Sequence, residues 1–269
     1  MPRQLLVFDF DWSVFPVCAR LVLTSPRSLA DQDTDRYIFE VLAPDLRRYM
    51  KSAKQHTQWT DLVAQSLQKI HARGITRQQI ETTLASMPFH PAMTRATSKL
   101  KSEGKTTFFC LSNANSVFIS TILKVTPFPS HPTRFQLSFL QSKGLDNLFD
   151  QITTNPAEWD DTGLLKLRRR VDPNGPQHTC KVGCSPNMCK GEELDAFIKQ
   201  HGPFDRIVYT GDGSNDFCPV LRLRSQDIVC CRLHRGLQKR INEEGGLKAE
   251  IRYWAGAWEA EEIYNSLSI

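Results

Sequence analysis

Between residues 36 and 88 the chain carries helical periodicity and no strand signal, and this block interrupts a sequence that otherwise alternates strand with helix. The stretch QLLVF, residues 4–8, reads as a buried strand. Residues 36–50 read as a helix with Tyr37, Ile38, Val41 and Leu42 on one face. A second helix spans 60–71, from a Thr60 N-cap to a stop at Gly74, and a third spans 76–86, ended by Pro88. Downstream come helix 92–103, strand 105–111, helix 115–124, helix 190–200, strand 206–210 and strand 227–231. Strands that alternate with helices predict an α/β fold with a parallel, doubly wound, Rossmann-like sheet. Helices inserted after the first strand predict a small cap over its carboxyl end, where open α/β sheets bind ligands. The expected division is a core of residues 1–13 and 89–269 and a helical cap of residues 31–88.

The 269 residues suffice for such a core plus a small cap. The net charge of +5 comes from scattered basic residues, with one short run at Arg168-Arg169-Arg170 that reads as a solvated face and not as a nucleic-acid patch. No apolar run reaches the roughly 20 residues that span a bilayer, and the first residues do not read as a signal peptide. Eight cysteines without a secretory signal are expected to be reduced thiols of a cytoplasmic protein.

Four stretches could carry chemistry. Asp9 and Asp11 follow the first strand, and alternate side chains of an extended segment share a face, so both carboxylates would enter one crevice; solvated loop acids are the other reading. Ser112, between strand and helix in LSNAN, could hold a phosphate oxygen together with free backbone N–H groups, or could simply cap the helix. Lys190 begins a helix, where the dipole disfavours a cation, so a buried anionic partner would account for it; an exposed lysine is the plain alternative. In VYTGDGSNDFCPV the glycines allow a tight turn, and Asp212 and Asp216 suit an oxygen-loving cation such as Mg²⁺.

Together and in this order, the four stretches resemble the haloacid dehalogenase (HAD) superfamily of phosphotransferases over nearly the whole chain. FDFD, NMCKGEEL and GDGSNDFCPV, with DQITTNPAEWD between the second and third motifs, are most similar to the group of phosphoethanolamine/phosphocholine and pyridoxal phosphate phosphatases and their fungal and plant relatives. The resemblance implies a Mg²⁺-dependent phosphomonoesterase acting on a small phosphate ester. Asp9 would be the nucleophile that forms an aspartyl-phosphate, and Asp11 the general acid and then base. Ser112, Asn113 and Lys190 would hold the phosphoryl group. Asp9, the Asp11 carbonyl, Asp212 and Asp216 would hold or support the metal. Family members that take amine phosphates carry an acid after the serine of the second motif; here that position is Asn113, and the other expected headgroup acid best matches Asp35, so the substrate stays open. A catalytically impaired phosphate-binding or regulatory protein on the same fold is the rival reading.

His178, Cys180, Cys184 and Cys189 offer four N/S ligands, enough for a structural Zn²⁺, with ordinary or redox-sensitive thiols as the alternative. Two segments, Ser13–Arg27 and Val125–Gln141, interrupt the family register and carry neither strand nor helix pattern. Their edges fit unspliced introns: a valine codon opens with GT and the CAG codon of Gln141 closes with AG, while the first segment fits if the junction splits the Trp12 codon. Two genuine loops are the alternative.

Overall fold

A computed structural model describes residues 3–11, 33–87, 91–124, 145 and 147–268. Six parallel strands lie side by side in the order β3-β2-β1-β6-β7-β8. They are β1 (Gln4–Phe8), β2 (Thr106–Asn115), β3 (Gln151–Asn155), β6 (Arg206–Gly211), β7 (Ile228–Arg232) and β8 (Glu250–Trp254). Between β3 and β6 a two-stranded antiparallel hairpin joins β4 (Ala157–Trp159) to β5 (Leu165–Leu167). The alternation of strand residues assigns them to two cores, as a sheet covered on both faces requires. Leu6, Phe8, Phe108, Cys110, Val208 and Cys230 pack with α5 (Pro91–Ser102), α6 (Ser116–Leu123) and α10 (Ala257–Asn265). Leu5, Val7, Phe109, Leu111, Tyr209 and Val229 pack with α7 (Lys190–His201), α8 (Phe217–Val220) and α9 (Gly236–Glu244). The expected doubly wound α/β sheet is therefore present.

Strand order reverses at β1. The chain runs β1, β2, β3 to one side and continues with β6, β7, β8 on the other. Such a switch point leaves a crevice at the carboxyl ends of the central strands. Asp9 and Asp212 each follow one of the two strands that flank it, β1 and β6, which pair along Gln4–Phe8 and Arg206–Thr210.

Among the described residues four helices precede α5 in the connection from β1 to β2: α1 (Thr34–Leu42), α2 (Pro44–Ala53), α3 (Trp59–Ala72) and α4 (Arg77–Ala85). The helix expected over 36–50 is in fact two. Pro44 starts α2 at its first turn, and Ala43 before it turns out of the helical region at φ −154°, because a proline disfavours a helical predecessor. The second helix is capped by the Gln58 side chain and not by Thr60, and Gly74 beyond it takes φ +83°, a conformation open to glycine at no cost. The basic run is solvated at Arg168 and Arg170, both exposed, although Arg170 also pairs with Glu193 on α7; Arg169 turns inward to pair with Asp61 on α3, with Nε at 2.9 Å. Ser13–Arg27 and Val125–Gln141 lie outside the described residues.

Candidate active site

β1 delivers Asp9 into the crevice, with the Asp9 N–H donating to the Thr210 carbonyl of β6 at 2.9 Å. Lys190, the first residue of α7, reaches the same point. Its Nζ lies 2.9 Å from Asp9 Oδ2 and 2.7 Å from Asp216 Oδ1. The lysine is 1% exposed, so the buried-anion account of a cation at a helix start is the correct one. Asp216 sits in a 3-10 turn, Ser214–Asp216, and all its acceptors are engaged: Oδ1 receives Lys190 and the Tyr209 hydroxyl at 2.8 Å, and Oδ2 receives the N–H groups of Asp212 and Gly213. Gly211 makes that closeness available, since a Cβ there would stand 2.6 Å from Asp216 Oδ2. Ser112 lies inside the long strand β2, where pairing with β3 shifts register between Leu111 and Asn115, and not after it as expected. Its hydroxyl accepts from the Ala114 N–H and bonds Asp9, while the helix cap is Asn115.

The first turn of α1 closes over Asp11. The Thr34 N–H donates to Asp11 Oδ1 at 3.0 Å and the Thr34 hydroxyl to Oδ2 at 3.2 Å. Nothing in the spacing pointed to Thr34, which stands 23 residues from Asp11 in the sequence. Asp35, in the same turn, is buried and accepts from Trp59 Nε1 at 2.9 Å.

These carboxyls titrate abnormally, and burial is the leading cause in each case. Asp9 is pushed up to about 7 by burial and the Asp216 charge, against the pull of Lys190 and Ser112. Asp11 rises well above the usual carboxylate range through burial and the neighbouring Asp33, Asp35 and Asp9, and Asp35 rises to about 8 through burial and Asp33. Burial works to lower Lys190, but Asp216 and Asp9 overcome it, so its ammonium is held more firmly than usual. Asp212 is driven well up by burial, Asp9 and Asp216, which outweigh Lys190 and Arg232. One oxygen from each of Asp9, Asp212 and Asp216 lies within 4.8 Å of the others, and Asp212 Oδ1 is buried without a hydrogen-bond partner. An all-oxygen set with an orphaned acceptor and surplus negative charge fits a hard divalent cation such as Mg²⁺.

Beside the carboxylates a cavity is lined by Asn113, Lys190, Gln58, Asn187, Asn215 and Arg240, with no acidic residue among its walls. Asn113 Oδ1 is buried there with no partner. Asn187 ties this wall together: its Nδ2 donates to Asn155 Oδ1 at 2.9 Å and to Thr60 Oγ1 of α3 at 3.3 Å. Asn155 in turn donates to the carbonyls of Asn113 and Ala114. Asp35 does not line the cavity.

The sequence-based zinc set needs one correction. Cys180, Cys184 and Cys189 do converge, but their fourth companion is Cys218 of α8, not His178. His178 turns its Nε2 to the Ser185 carbonyl at 2.9 Å. Every described cysteine is a free thiol.

Comparison with known proteins gives the following. The family described as "Putative Phosphatase" matches residues 20–267, a span that begins after Asp9 and Asp11 and includes the other site residues. Pyridoxal phosphate phosphatase PHOSPHO2 of Rattus norvegicus is 29% identical over 269 residues, covering 96% of this chain and 95% of its own. A thiamine phosphate phosphatase-like protein of Arabidopsis thaliana is 28% identical over 268 residues, covering 98% and 94%. The solved structure of a HAD family hydrolase from Salmonella enterica superposes with a TM-score of 0.53 at 14% identity, over 96% of this chain and 69% of that one, and so shares the fold. No helix among the described residues is long and apolar enough to cross a membrane.

Proposed function

The chain belongs to the Putative Phosphatase family, and from that premise we propose that it is a Mg²⁺-dependent phosphomonoesterase of small phosphorylated metabolites that works through an aspartyl-phosphate on Asp9. The observation that carries this reading is the junction of Asp9, Lys190, Asp216 and Asp212 at the switch point, with a single lysine bridging two of the acids. Asp9, Asp212 and the Asp11 carbonyl would hold Mg²⁺. Asp216 supports them from behind, since its own acceptors are already taken. When bound, the cation offsets the repulsion between a dianionic phosphate and the carboxylates.

The residues of the chain divide the remaining work. In this reading Lys190 and Ser112, both partners of Asp9, hold phosphoryl oxygens while the Asp9 carboxylate attacks phosphorus. Asp11, whose pKa is raised by burial and whose two oxygens are fixed by Thr34, is the acid that gives a proton to the leaving alkoxide. It then accepts a proton from the water that hydrolyses the intermediate. We read residues 33–87 as the cap that brings Thr34 to Asp11 and Gln58 to the cavity wall. A cavity with Lys190 and Arg240 and no acid favours an ester whose organic part is neutral or anionic over a cationic amine headgroup. Asp35 then acts as a charge neighbour of Asp11 more than as a wall of the cavity. A cytoplasmic protein acting on soluble esters, without nucleic acid or membrane, completes the reading.

The test is phosphate release from an aryl phosphate, with and without Mg²⁺, followed by acid quench and peptide mapping. Mg²⁺-dependent turnover with phosphate on the Asp9 peptide is expected. Binding of phosphate esters without turnover would favour the impaired, regulatory reading, and turnover undiminished in excess chelator would overturn the proposal.

A further inference from the structure

Four thiols meet where nothing in the proposed chemistry calls for them. Cys180 and Cys184 come from the loop after β5, Cys189 is the residue before α7, and Cys218 lies in α8. The Sγ separations are 3.6 Å for Cys180–Cys184, 3.4 Å for Cys180–Cys218, 3.6 Å for Cys184–Cys189 and 3.6 Å for Cys189–Cys218. All four sulfurs lie within 4.8 Å of one another. A disulfide needs about 2.05 Å, so no pair is bonded. Four sulfurs placed around a zinc ion at about 2.3 Å would stand about 3.8 Å apart by tetrahedral geometry, close to what is seen.

A backbone donor faces the cluster: the Val182 N–H donates to Cys180 Sγ at 3.3 Å. Such N–H···S bonds orient a ligand and stabilise its charge. Arg222 places Nη2 3.8 Å from Cys218 Sγ. Gly183 within the Cys180–Cys184 loop takes φ +91°, and a Cβ on Gly191 would strike Arg222 Nε at 2.4 Å and Cys218 Sγ at 2.6 Å. Both positions need glycine for the loop and α7 to close on the cluster.

We propose that Cys180, Cys184, Cys189 and Cys218 bind a structural Zn²⁺, a second metal site distinct from the carboxylates. Four protein ligands fill the tetrahedron and leave no position for substrate, which marks a structural and not a catalytic site. Each thiol gives up its proton to solvent as the metal binds, and no redox step is involved. The ion would join the start of α7 to α8. Cys189 directly precedes Lys190, and Cys218 is two residues beyond Asp216, so the ion holds from behind the two segments that the Lys190–Asp216 pair holds from the front. This positioning role rests on the phosphatase reading; the metal site itself does not.

The experiment is metal analysis of the purified chain, cobalt substitution, and three variants. One zinc per chain is expected, and Co²⁺ in its place should show intense thiolate-to-metal charge-transfer absorption. Cys218→Ser should lose the zinc, while His178→Ala and Asp9→Asn should keep it. Zinc retention in Asp9→Asn together with lost turnover separates this site from the catalytic one. If Cys218→Ser does not fold, the cobalt spectrum of the parent decides alone, since its intensity reports how many thiolates bind. No zinc and no thiolate band, a disulfide among the four cysteines in the native protein, iron in place of zinc, or zinc lost in His178→Ala would each overturn the assignment.

Discussion

The carboxylate cluster and the thiol cluster share two segments of chain, the start of α7 and the turn into α8, yet they solve opposite problems. At the crevice, Asp9, Asp212 and Asp216 crowd hard oxygen donors around one lysine, and burial leaves Asp9 and Asp212 reluctant to ionise. In the other cluster, four soft sulfur donors lie within 4.8 Å of one another, and the Val182 N–H supports one of them. The first arrangement is kept short of positive charge, with an acceptor on Asp212 left open, and so can take in a cation together with a dianionic ligand. The second is closed, and can only hold the frame. Reactivity and rigidity are thus assigned to adjacent residues, Lys190 and Cys189, at a single helix start.

The largest effect should follow from removing the nucleophile. Asp9→Asn should lower kcat by roughly 10⁴-fold or more, the scale seen when a catalytic unit loses its attacking group, with zinc content unchanged. Activity within a few-fold of the parent would place the nucleophile elsewhere. Next comes Lys190→Met. It removes the cation from a pair with both partners buried, and breaking a buried pair from one side costs about 3–5 kcal/mol. Urea unfolding should show that loss at neutral pH. A variant as stable as the parent would mean that Lys190 contributes nothing to holding Asp9 and Asp216.

The catalytic half of this comparison was more legible in the sequence than the structural half, for a physical reason. Asp9, Lys190 and Asp212 each sit just after an apolar strand or at the start of a helix, so local pattern marks them; Ser112 was marked by the apolar run before it, although the strand continues through it. The thiol cluster takes its fourth member from a different crossover, and sequence spacing favoured the nearer His178 over Cys218. Thr34, Asn155 and Asn187 escaped notice likewise, because each acts through a contact distant in sequence, such as Asn187 to Thr60. Among elements, the alternation of the central strands was readable. Pro44 was hidden beneath an apolar period that runs on across the break between α1 and α2. β3 and β8 were missed because edge strands, with only one neighbour each, tolerate exposed residues such as Ile152 and Tyr253.

Acidity should move the two clusters in opposite directions. Asp35 has a folded-state pKa of about 8 against an ordinary 3.8, so the folded chain binds its proton more tightly than the unfolded one. Its contribution to stability is complete below the ordinary value and is lost as pH rises through about 8, at up to about 1.4 kcal/mol per pH unit inside that window. Zinc binding runs the other way, because thiolates must be deprotonated to hold the metal. Unfolding free energies measured across this range should therefore fall with pH more steeply in the parent than in Asp35→Asn, while zinc release on acidification is the same in both. Parallel curves for parent and variant would show that Asp35 ionises normally, and that its burial against Trp59 carries no charge penalty.

The smallest effect is the one that bears on substrate. Asn113 offers a buried acceptor with no partner to a cavity whose charged walls, Lys190 and Arg240, are basic. Asn113→Asp changes the charge of that position with almost no change in shape. A hydrogen bond to a charged group is worth about 1.5–3 kcal/mol, so the kcat/KM ratio for a phosphate ester of a cationic amine over an uncharged one should rise roughly tenfold or more. Absolute kcat/KM for the uncharged ester should fall, because the new carboxylate competes with phosphate for Lys190. The thiol cluster provides the control: Cys184 lines the same cavity, but the substitution removes no sulfur ligand, so zinc content and thermal stability of the metal-bound protein should stay as in the parent. A selectivity ratio that does not move would show that the organic part of the ester lies away from Asn113, and that the polar wall of Gln58 and Asn187 contacts it instead.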